Sequence, residues 1–422
     1  MRVPNRRASF WTSTAVVGHA LWASAAPTVT YPLYTDQWHL TATATTSVFA
    51  VFPVALVATL IVFGDLADYI GRRGSILLGL TASLTGAALF AVAPAVGWVF
   101  AGRALMGLGV VLAMGPASAA VVEFSAKGVT KRASAITTAA TAVGLALAVL
   151  SGGLLIDFGP DPIHGNFWIL TAVTALVLTA AWHLPRHTKA EAKGSWQPRG
   201  LRVPRSLRIV FTTSAVAVTA GFIVGAVLLS LGAQIARELI GSADALVSGS
   251  VIALFATVMG AAAILVRNVR PRTSIMLGAT GAITALGLLI LAAAIHSLTV
   301  FLLFALTAGI GYSLLFTGGL GLLNAHAPTH HRAGALSALY LIAYLMQAVT
   351  ALTLGAIATA TDLHTAVNTG TPAIAAVSAL AATLAALTRD AASLSSRAKR
   401  KPPRRSAAMM PESRRQHEHP RP

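Results

Sequence analysis

The stretch Gly64-Asp-Leu-Ala-Asp-Tyr-Ile-Gly-Arg-Arg-Gly74 places two carboxylates, two adjacent arginines and three glycines between long apolar segments. The flanking segments, 43–63 and 75–95, are each about 20 residues long, the length that a helix needs to cross the hydrocarbon core of a bilayer. Glycines allow close backbone approach and tight turns. The stretch is therefore predicted to be a short charged loop at a membrane surface.

Composition extends this prediction to the whole chain. Of 422 residues, 55% are hydrophobic and only 10% are charged, whereas soluble domains average about 25% charged residues. Backbone polar groups must be satisfied within each segment in lipid, so we predict an all-α integral membrane protein. Twelve spans are expected, at 11–33, 43–63, 75–95, 98–121, 133–156, 166–184, 209–234, 245–266, 273–295, 298–323, 334–358 and 367–388.

The basic residues define a topology. Twenty-nine of the 31 Lys and Arg residues fall on connections of one side, and the exceptions are Arg103 and Arg237. By the positive-inside rule both termini are cytoplasmic. The net charge of +18 therefore reflects membrane insertion and predicts no nucleic-acid partner. The opposite loops carry four carboxylates instead, namely Asp36, Asp161, Asp244 and Asp362.

Several function classes are excluded. The chain has no cysteine, so disulfides and cysteine-based metal sites are impossible. No nucleotide-binding loop or nucleophile triad occurs, and no enzyme activity, cofactor or metal is predicted, although His326, His330 and His331 share one loop. The apolar run through Ala23-Ser24-Ala25 resembles a signal-peptide end, but it continues to Tyr34, and we expect no cleavage.

Similar segments recur at an offset near 200 residues. Residues 73–79 parallel 272–278, residues 107–109 parallel 309–311, and residues 132–135 parallel 332–335. Three matches in one order indicate two parallel halves with a substrate site between them. The predicted organisation is a cytoplasmic N-terminus (1–10), a six-helix half (11–184), a cytoplasmic linker (185–208), a second six-helix half (209–388) and a disordered basic cytoplasmic tail (389–422).

The loop pattern G-x-L-x-D-x-x-G-R-R resembles the signature loop of the major facilitator superfamily. Arg103, Gly107 and Gly109 match the span-4 motif R-x-x-x-G-x-G of proton-coupled members. The resemblance covers about residues 10–390 and is strongest to bacterial twelve-span drug- and sugar-efflux permeases. It implies two pseudo-symmetric six-helix bundles and alternating access.

In this family the loop acts as a conformational latch between the halves. The resemblance implies that Asp68 faces the N-terminus of span 11, near Gly334, where unpaired N–H groups favour negative charge. The second loop, 267–272, keeps the basic ending but lacks the Asp. The expected latch residues are Gly64, Asp68, Gly71, Arg72, Arg73 and Glu123, the last as partner of the arginines.

Proton coupling is assigned to Arg103 and His19. A guanidinium within a span is costly and marks function, and the pKa of an unperturbed histidine suits proton exchange. No Asp or Glu falls in the middle of a span to serve as partner. The alternatives stay open: Arg103 can pair structurally with backbone carbonyls, and His19 can be a satisfied packing residue.

Aromatic and polar residues on spans 1, 4, 7, 10 and 11 are candidates for a substrate cavity that suits amphipathic or apolar solutes. Helix packing or an interfacial aromatic belt is the alternative for each. The candidates are Trp22, Tyr31, Met106, Met114, Gln234, Tyr312, Phe316, Tyr340, Tyr344 and Gln347.

These features predict a secondary transporter of small organic molecules, most simply a proton-coupled exporter. Gly144, Gly152 and Gly153 match the antiporter motif of span 5, but Ala148 and Val149 replace its central Gly-Pro. This altered motif and the lack of an acid in the middle of a span keep uptake of a sugar or organic acid by a symporter or uniporter as an alternative. A transport-inactive membrane receptor or scaffold is an alternative of another class, against which the intact loop and Arg103 argue. The expected setting is a monomer in a bacterial plasma membrane, with the bilayer and protons as partners.

Overall fold

A computed structural model of the chain describes residues 5–125, 130–185, 204–242 and 244–399. These residues form helices and no strand, and eleven of the helices are long and apolar enough to cross a membrane. The α-helices are α1 Arg6–Ala25, α2 Tyr31–Trp38, α3 Ala42–Phe63, α4 Leu66–Ile70, α5 Arg72–Ala91, α6 Val96–Phe124, α7 Thr130–Phe158, α8 Gly165–Trp182, α9 Arg208–Gln234, α10 Ala245–Leu265, α11 Pro271–Ile295, α12 Leu298–His326, α13 Thr329–Ala360 and α14 Leu363–Lys399.

The first predicted span is not one continuous helix. A 3₁₀ segment, Ala26–Thr30, separates α1 from α2. Pro27 lies in the first turn of the 3₁₀ segment, and Pro32 lies in the first turn of α2. Proline has no N–H to donate to the carbonyl four residues earlier, so an α-helix is interrupted there. The eleven apolar helices leave out α1, which is 20 residues long but carries several serines and threonines and His19; the fold is otherwise consistent with the twelve predicted spans.

The two halves repeat the same helix contacts. The Ser75 hydroxyl of α5 donates to the Leu112 carbonyl of α6 at 2.7 Å, and the Ser274 hydroxyl of α11 donates to the Leu314 carbonyl of α12 at 2.8 Å. Small residues allow these helix pairs to approach closely. Residues about 200 positions apart thus make equivalent contacts, and the repeat seen in the sequence is also a repeat in the structure.

Two helix pairs form most of the interface between the halves. α7 packs against α10, and α3 packs against α13. A Cβ at Gly249 of α10 would lie 2.4 Å from the Val149 carbonyl oxygen, so the α7 and α10 backbones touch there. α9 is buried along almost its whole length between α3, α12, α13 and α14.

The last helix extends beyond its predicted end at residue 388. α14 runs to Lys399, because no glycine or proline occurs between Pro372 and Pro402 to stop it. The remainder of the predicted tail, 400–422, and most of the predicted linker, 186–203, lie outside the described residues.

Candidate functional site

The loop Gly64–Gly74 folds as a short helix between two turns. α3 ends at Phe63, α4 carries Asp68, and Gly71 then turns the chain into α5. Gly71 has a φ of 80°, a backbone conformation that side chains with a Cβ rarely adopt. We call the face of the bundle that carries this loop the loop face, and the opposite face the far face.

The arginines of the loop bind groups within their own half. The Arg72 guanidinium donates to the Glu123 carboxylate at the end of α6, the partner predicted from the sequence. Arg73 donates to the Trp182 carbonyl at the end of α8, and its guanidinium lies 5.7 Å from the centroid of the Trp182 ring. Cations are favoured at helix C-termini, where carbonyls lack partners. These contacts join α5, α6 and α8 at the loop face.

Asp68 lies on a helix that packs within the N-terminal half. α4 contacts α5 and α6, and Asp68 is exposed. Around Gly334, in the first turns of α13, no heavy atom lies within 4 Å of the position that a Cβ would take. Among the described residues, no other helix therefore packs against Gly334 in this conformation, and the latch role of Asp68 stays a prediction.

The far face, in contrast, joins the halves. Thr43 of α3 donates from its N–H and its hydroxyl to the Thr359 hydroxyl of α13, both at 2.8 Å. Arg237 donates to Asp36 at 2.6 Å, across the ends of the first and seventh spans. Asp157 at the end of α7 accepts hydrogen bonds from the start of α10. The conformation is closed on the far face.

Arg103 is buried at the break in the first span. It is 1% exposed, and its Nη1 donates to the Ser24 carbonyl at 2.8 Å. The guanidinium also lies 4.8 Å from the centroid of the Phe52 ring, in the range of a cation–π contact. Tyr31 and Tyr34 surround it, and none of its neighbours among the described residues is a carboxylate. The contact with the Ser24 carbonyl is the one expected if Arg103 has only a structural role. Its role in proton coupling stays a prediction.

His19 lies between α1 and α8. Its Nε2 is 2.7 Å from the Thr174 hydroxyl, which donates its own proton to the Leu170 carbonyl at 2.6 Å. Either atom can donate in this contact, depending on the tautomer of His19 and the rotation of the Thr174 hydroxyl. His19 is thus buried with a partner inside the N-terminal half, and its role in coupling stays a prediction.

Aromatic cavity candidates form one cluster in the C-terminal half. Phe222 of α9 stacks on Tyr312 at 5.8 Å between ring centroids and meets Tyr344 edge-on at 4.8 Å. Phe316 and Tyr340 extend the row. Four of these rings are half-buried, so they retain exposed surface. We call the five residues, Phe222, Tyr312, Phe316, Tyr340 and Tyr344, the aromatic wall.

The remaining candidates are dispersed. Met106 is fully buried and packs on Gly86 of α5, inside the N-terminal half, and Tyr31 belongs to the Arg103 cluster. Trp22 and Met114 are half-buried. Gln234 and Gln347 are buried polar groups on α9 and α13.

Sequence reasoning missed the polar contacts that close the far face and shape the first span. Asn166 of α8 donates to the Ala26 carbonyl at 3.0 Å, at the start of the 3₁₀ segment. An amide within an apolar span is a signal that could have identified it, because polar groups in a membrane are costly unless paired. For Asp157 the signal was only its place at a span end.

Fold and site together define a multi-pass membrane transporter with two pseudo-symmetric halves. The sequence matches the model of the Major Facilitator Superfamily over residues 12–351, and the chain belongs to that family. Family membership makes it a transporter of small molecules and not an enzyme. None of the curated proteins matches the sequence significantly.

Solved structures share the fold at low sequence identity. One is a bacterial homologue of the human lysosomal transporter Spinster, in an inward-facing and unoccupied conformation, with a TM-score of 0.68, 16% identity and coverage of 92% of this chain and 97% of that one. Another is a mutant of the nucleoside transporter NupG, with a TM-score of 0.69, 13% identity and coverage of 91% and 99%.

Proposed function

We propose that the protein exports small organic compounds in exchange for protons by alternating access. The observation that carries this proposal is Arg103, a fully buried guanidinium in the motif R-x-x-x-G-x-G, placed against the broken first span and without a carboxylate neighbour among the described residues. An intramembrane cation of this kind is a functional site by default. Arg103 with His19 is the proposed coupling pair.

The loop face is the cytoplasmic face in this proposal, because the loops on its side carry the basic residues. The conformation is then open to the cytoplasm, with the far face closed by the Thr43, Asp36 and Asp157 contacts. When the halves rock the other way, the start of α13 approaches α4, and the Asp68 carboxylate faces the N-terminus of α13, where the helix dipole favours negative charge.

The aromatic wall favours substrates that are amphipathic and contain rings. Rings offer large apolar area with few rotatable bonds, and aromatic pairs contribute about 0.5–1.5 kcal/mol beyond burial. Trp22 and Met114 of the N-terminal half are the proposed partners of the wall when the cavity closes.

Transport into everted vesicles tests direction and coupling. With an imposed pH gradient, acid inside, and a panel of amphipathic aromatic dyes and hexoses, we expect the dyes to accumulate and acridine-dye fluorescence to report proton movement out of the lumen. Vesicles without the protein serve as the control. Accumulation solely in right-side-out vesicles would establish uptake, and no movement of any compound would contradict the proposal.

Asp68→Asn tests the latch. A carboxylate at a helix N-terminus contributes roughly 0.3–1 kcal/mol, and up to about 2 kcal/mol when partly buried. We therefore expect transport to slow by about two- to thirtyfold with normal membrane insertion. Asp65→Asn, on the same loop but outside the motif, is the matched control. A wild-type rate in Asp68→Asn would remove the latch assignment.

A second candidate, uptake of a sugar or organic acid, is favoured by the altered span-5 motif. α7 is an unbroken helix through Ala148 and Val149, where the antiporter motif has Gly-Pro. A helix without that proline keeps its hydrogen bonds and does not kink there. The vesicle orientation in which accumulation occurs distinguishes the two candidates.

A further inference from the structure

A carboxylate of one half caps a helix of the other half on the far face. Asp157 lies in the last turn of α7, and its Oδ1 and Oδ2 accept hydrogen bonds from the N–H groups of Ala245 at 3.0 Å and Leu246 at 2.7 Å. α10 begins at Ala245, and the first N–H groups of a helix have no partner within it. Asp157 therefore satisfies two of these donors.

The cap is not supplied locally. Asp244 occupies the N-cap position of α10, and aspartate is a favoured N-cap residue, yet its side chain makes no capping hydrogen bond. The carboxylate that binds these N–H groups instead comes from 88 residues earlier in the chain and from the other half. This arrangement makes the cap of α10 dependent on how the halves are packed.

The helices beneath the cap are in backbone contact. A Cβ at Gly153 would lie 2.7 Å from the Leu246 Cα and 2.8 Å from the Ala245 oxygen. Gly153 and Asp157 are four residues apart and thus share a helix face. The two hydrogen bonds form only when the helices approach this closely, so separation of the halves at the far face breaks both together.

Other far-face carboxylates do not bridge the halves in this way. Asp161 binds His164 within the N-terminal half, and Asp362 caps its own helix through the Thr365 N–H at 2.8 Å. The Thr365 hydrogen bonds also hold the pKa of the Asp362 carboxyl below its usual range. Asp36 also bridges the halves, and like Asp157 it is exposed, but it pairs with one mobile side chain, a kind of surface pair that contributes little, whereas Asp157 binds two main-chain N–H groups.

We propose that Asp157 is a positioning residue that holds the far face closed and so stabilises the conformation open on the loop face. It acts by the same physics as the latch at Asp68, on the opposite face and in the opposite state. The inference rests on the alternating access of the proposed function, but it depends on neither substrate nor proton coupling.

Distance measurements without substrate test this role. The chain has no cysteine, so nitroxide labels at Ala95→Cys and Thr299→Cys, exposed positions on far-face ends of the two halves, report far-face separation by double electron–electron resonance in lipid nanodiscs. In Asp157→Asn we expect the ratio of separated to closed populations to rise by about tenfold, since the charge and one of two good acceptors are lost.

Control variants distinguish the loss of the Asp157 contact from the loss of any far-face carboxylate and from poor folding. Asp161→Asn and Asp362→Asn remove far-face carboxylates that act within one half, and their distance distributions should equal that of the parent. Gly153→Ala keeps the carboxylate but forces α7 and α10 apart, so it should shift the population in the same direction and gives a second measurement if Asp157→Asn is poorly folded. A parental distribution in folded Asp157→Asn, or in Gly153→Ala if Asp157→Asn does not fold, would overturn the proposal, whatever the transport assays show about export.

Discussion

Arg103→Ala is expected to reduce proton-driven accumulation by at least about tenfold while substrate exchange without a gradient continues. The guanidinium is 1% exposed and donates to the Ser24 carbonyl next to the break in the first span. Its removal deletes the intramembrane charge proposed to link protonation to movement of that span. Accumulation and exchange of the same dye in the same everted vesicles measure the two quantities.

The control for Arg103 must separate coupling from stability. Loss of a buried donor leaves the Ser24 carbonyl unsatisfied, at a cost of roughly 1–3 kcal/mol. Arg103→Lys keeps the charge but not the planar donor set, so it should retain part of the coupling. Thermal unfolding of the parent, Arg103→Ala and Arg103→Lys proteins in detergent measures how much stability each substitution costs. A folded Arg103→Ala protein that couples fully would make Arg103 structural.

Gly144→Ala should lower the unfolding free energy by about 1–3 kcal/mol, because it overpacks a contact between two backbones. The added Cβ would lie 2.0 Å from the Gly18 carbonyl oxygen and 3.0 Å from the Gly18 Cα. Neither atom can rotate away, so α1 and α7 must separate. Thermal unfolding followed by size-exclusion chromatography measures the change, and purified yield should fall with it.

Gly287→Ala is the matched control for Gly144. It also lies within a membrane helix, on α11, but no heavy atom lies within 4 Å of its added Cβ. Alanine has the higher helix propensity, so this variant should be as stable as the parent or slightly more so. If Gly144→Ala unfolds at the parent temperature, the α1–α7 contact is looser than the structure has it.

Much of the fold follows from local patterns. Apolar runs of membrane-spanning length, the charged loop at Gly64–Gly74 and the offset near 200 residues predicted a helical transporter with two similar halves, and the family match confirms it. The Arg72–Glu123 contact was also predictable, because both residues lie at the ends of spans on the same face. Such features depend on composition and spacing along the chain, which a sequence displays directly.

The division of the first span was less visible. Pro27 and Pro32 are plain in the sequence, yet prolines occur inside other helices of this protein, at Pro53 and Pro116, without ending them. A proline breaks a membrane helix where neighbouring groups satisfy the freed carbonyls. Here Arg103 and Asn166 donate to the Ser24 and Ala26 carbonyls next to the break, and their positions are set by α6 and α8.

By itself the sequence determined the family, the membrane-spanning architecture, the likeness of the halves and the residues able to carry charge. Only the tertiary structure decided which partners those residues meet: the Ser24 carbonyl for Arg103, Thr174 for His19, and the start of α10 for Asp157. The physical reason is that helix formation is governed by neighbours in the chain, whereas a contact across helices depends on the rotation and approach of each helix, and these are set by packing over its whole length.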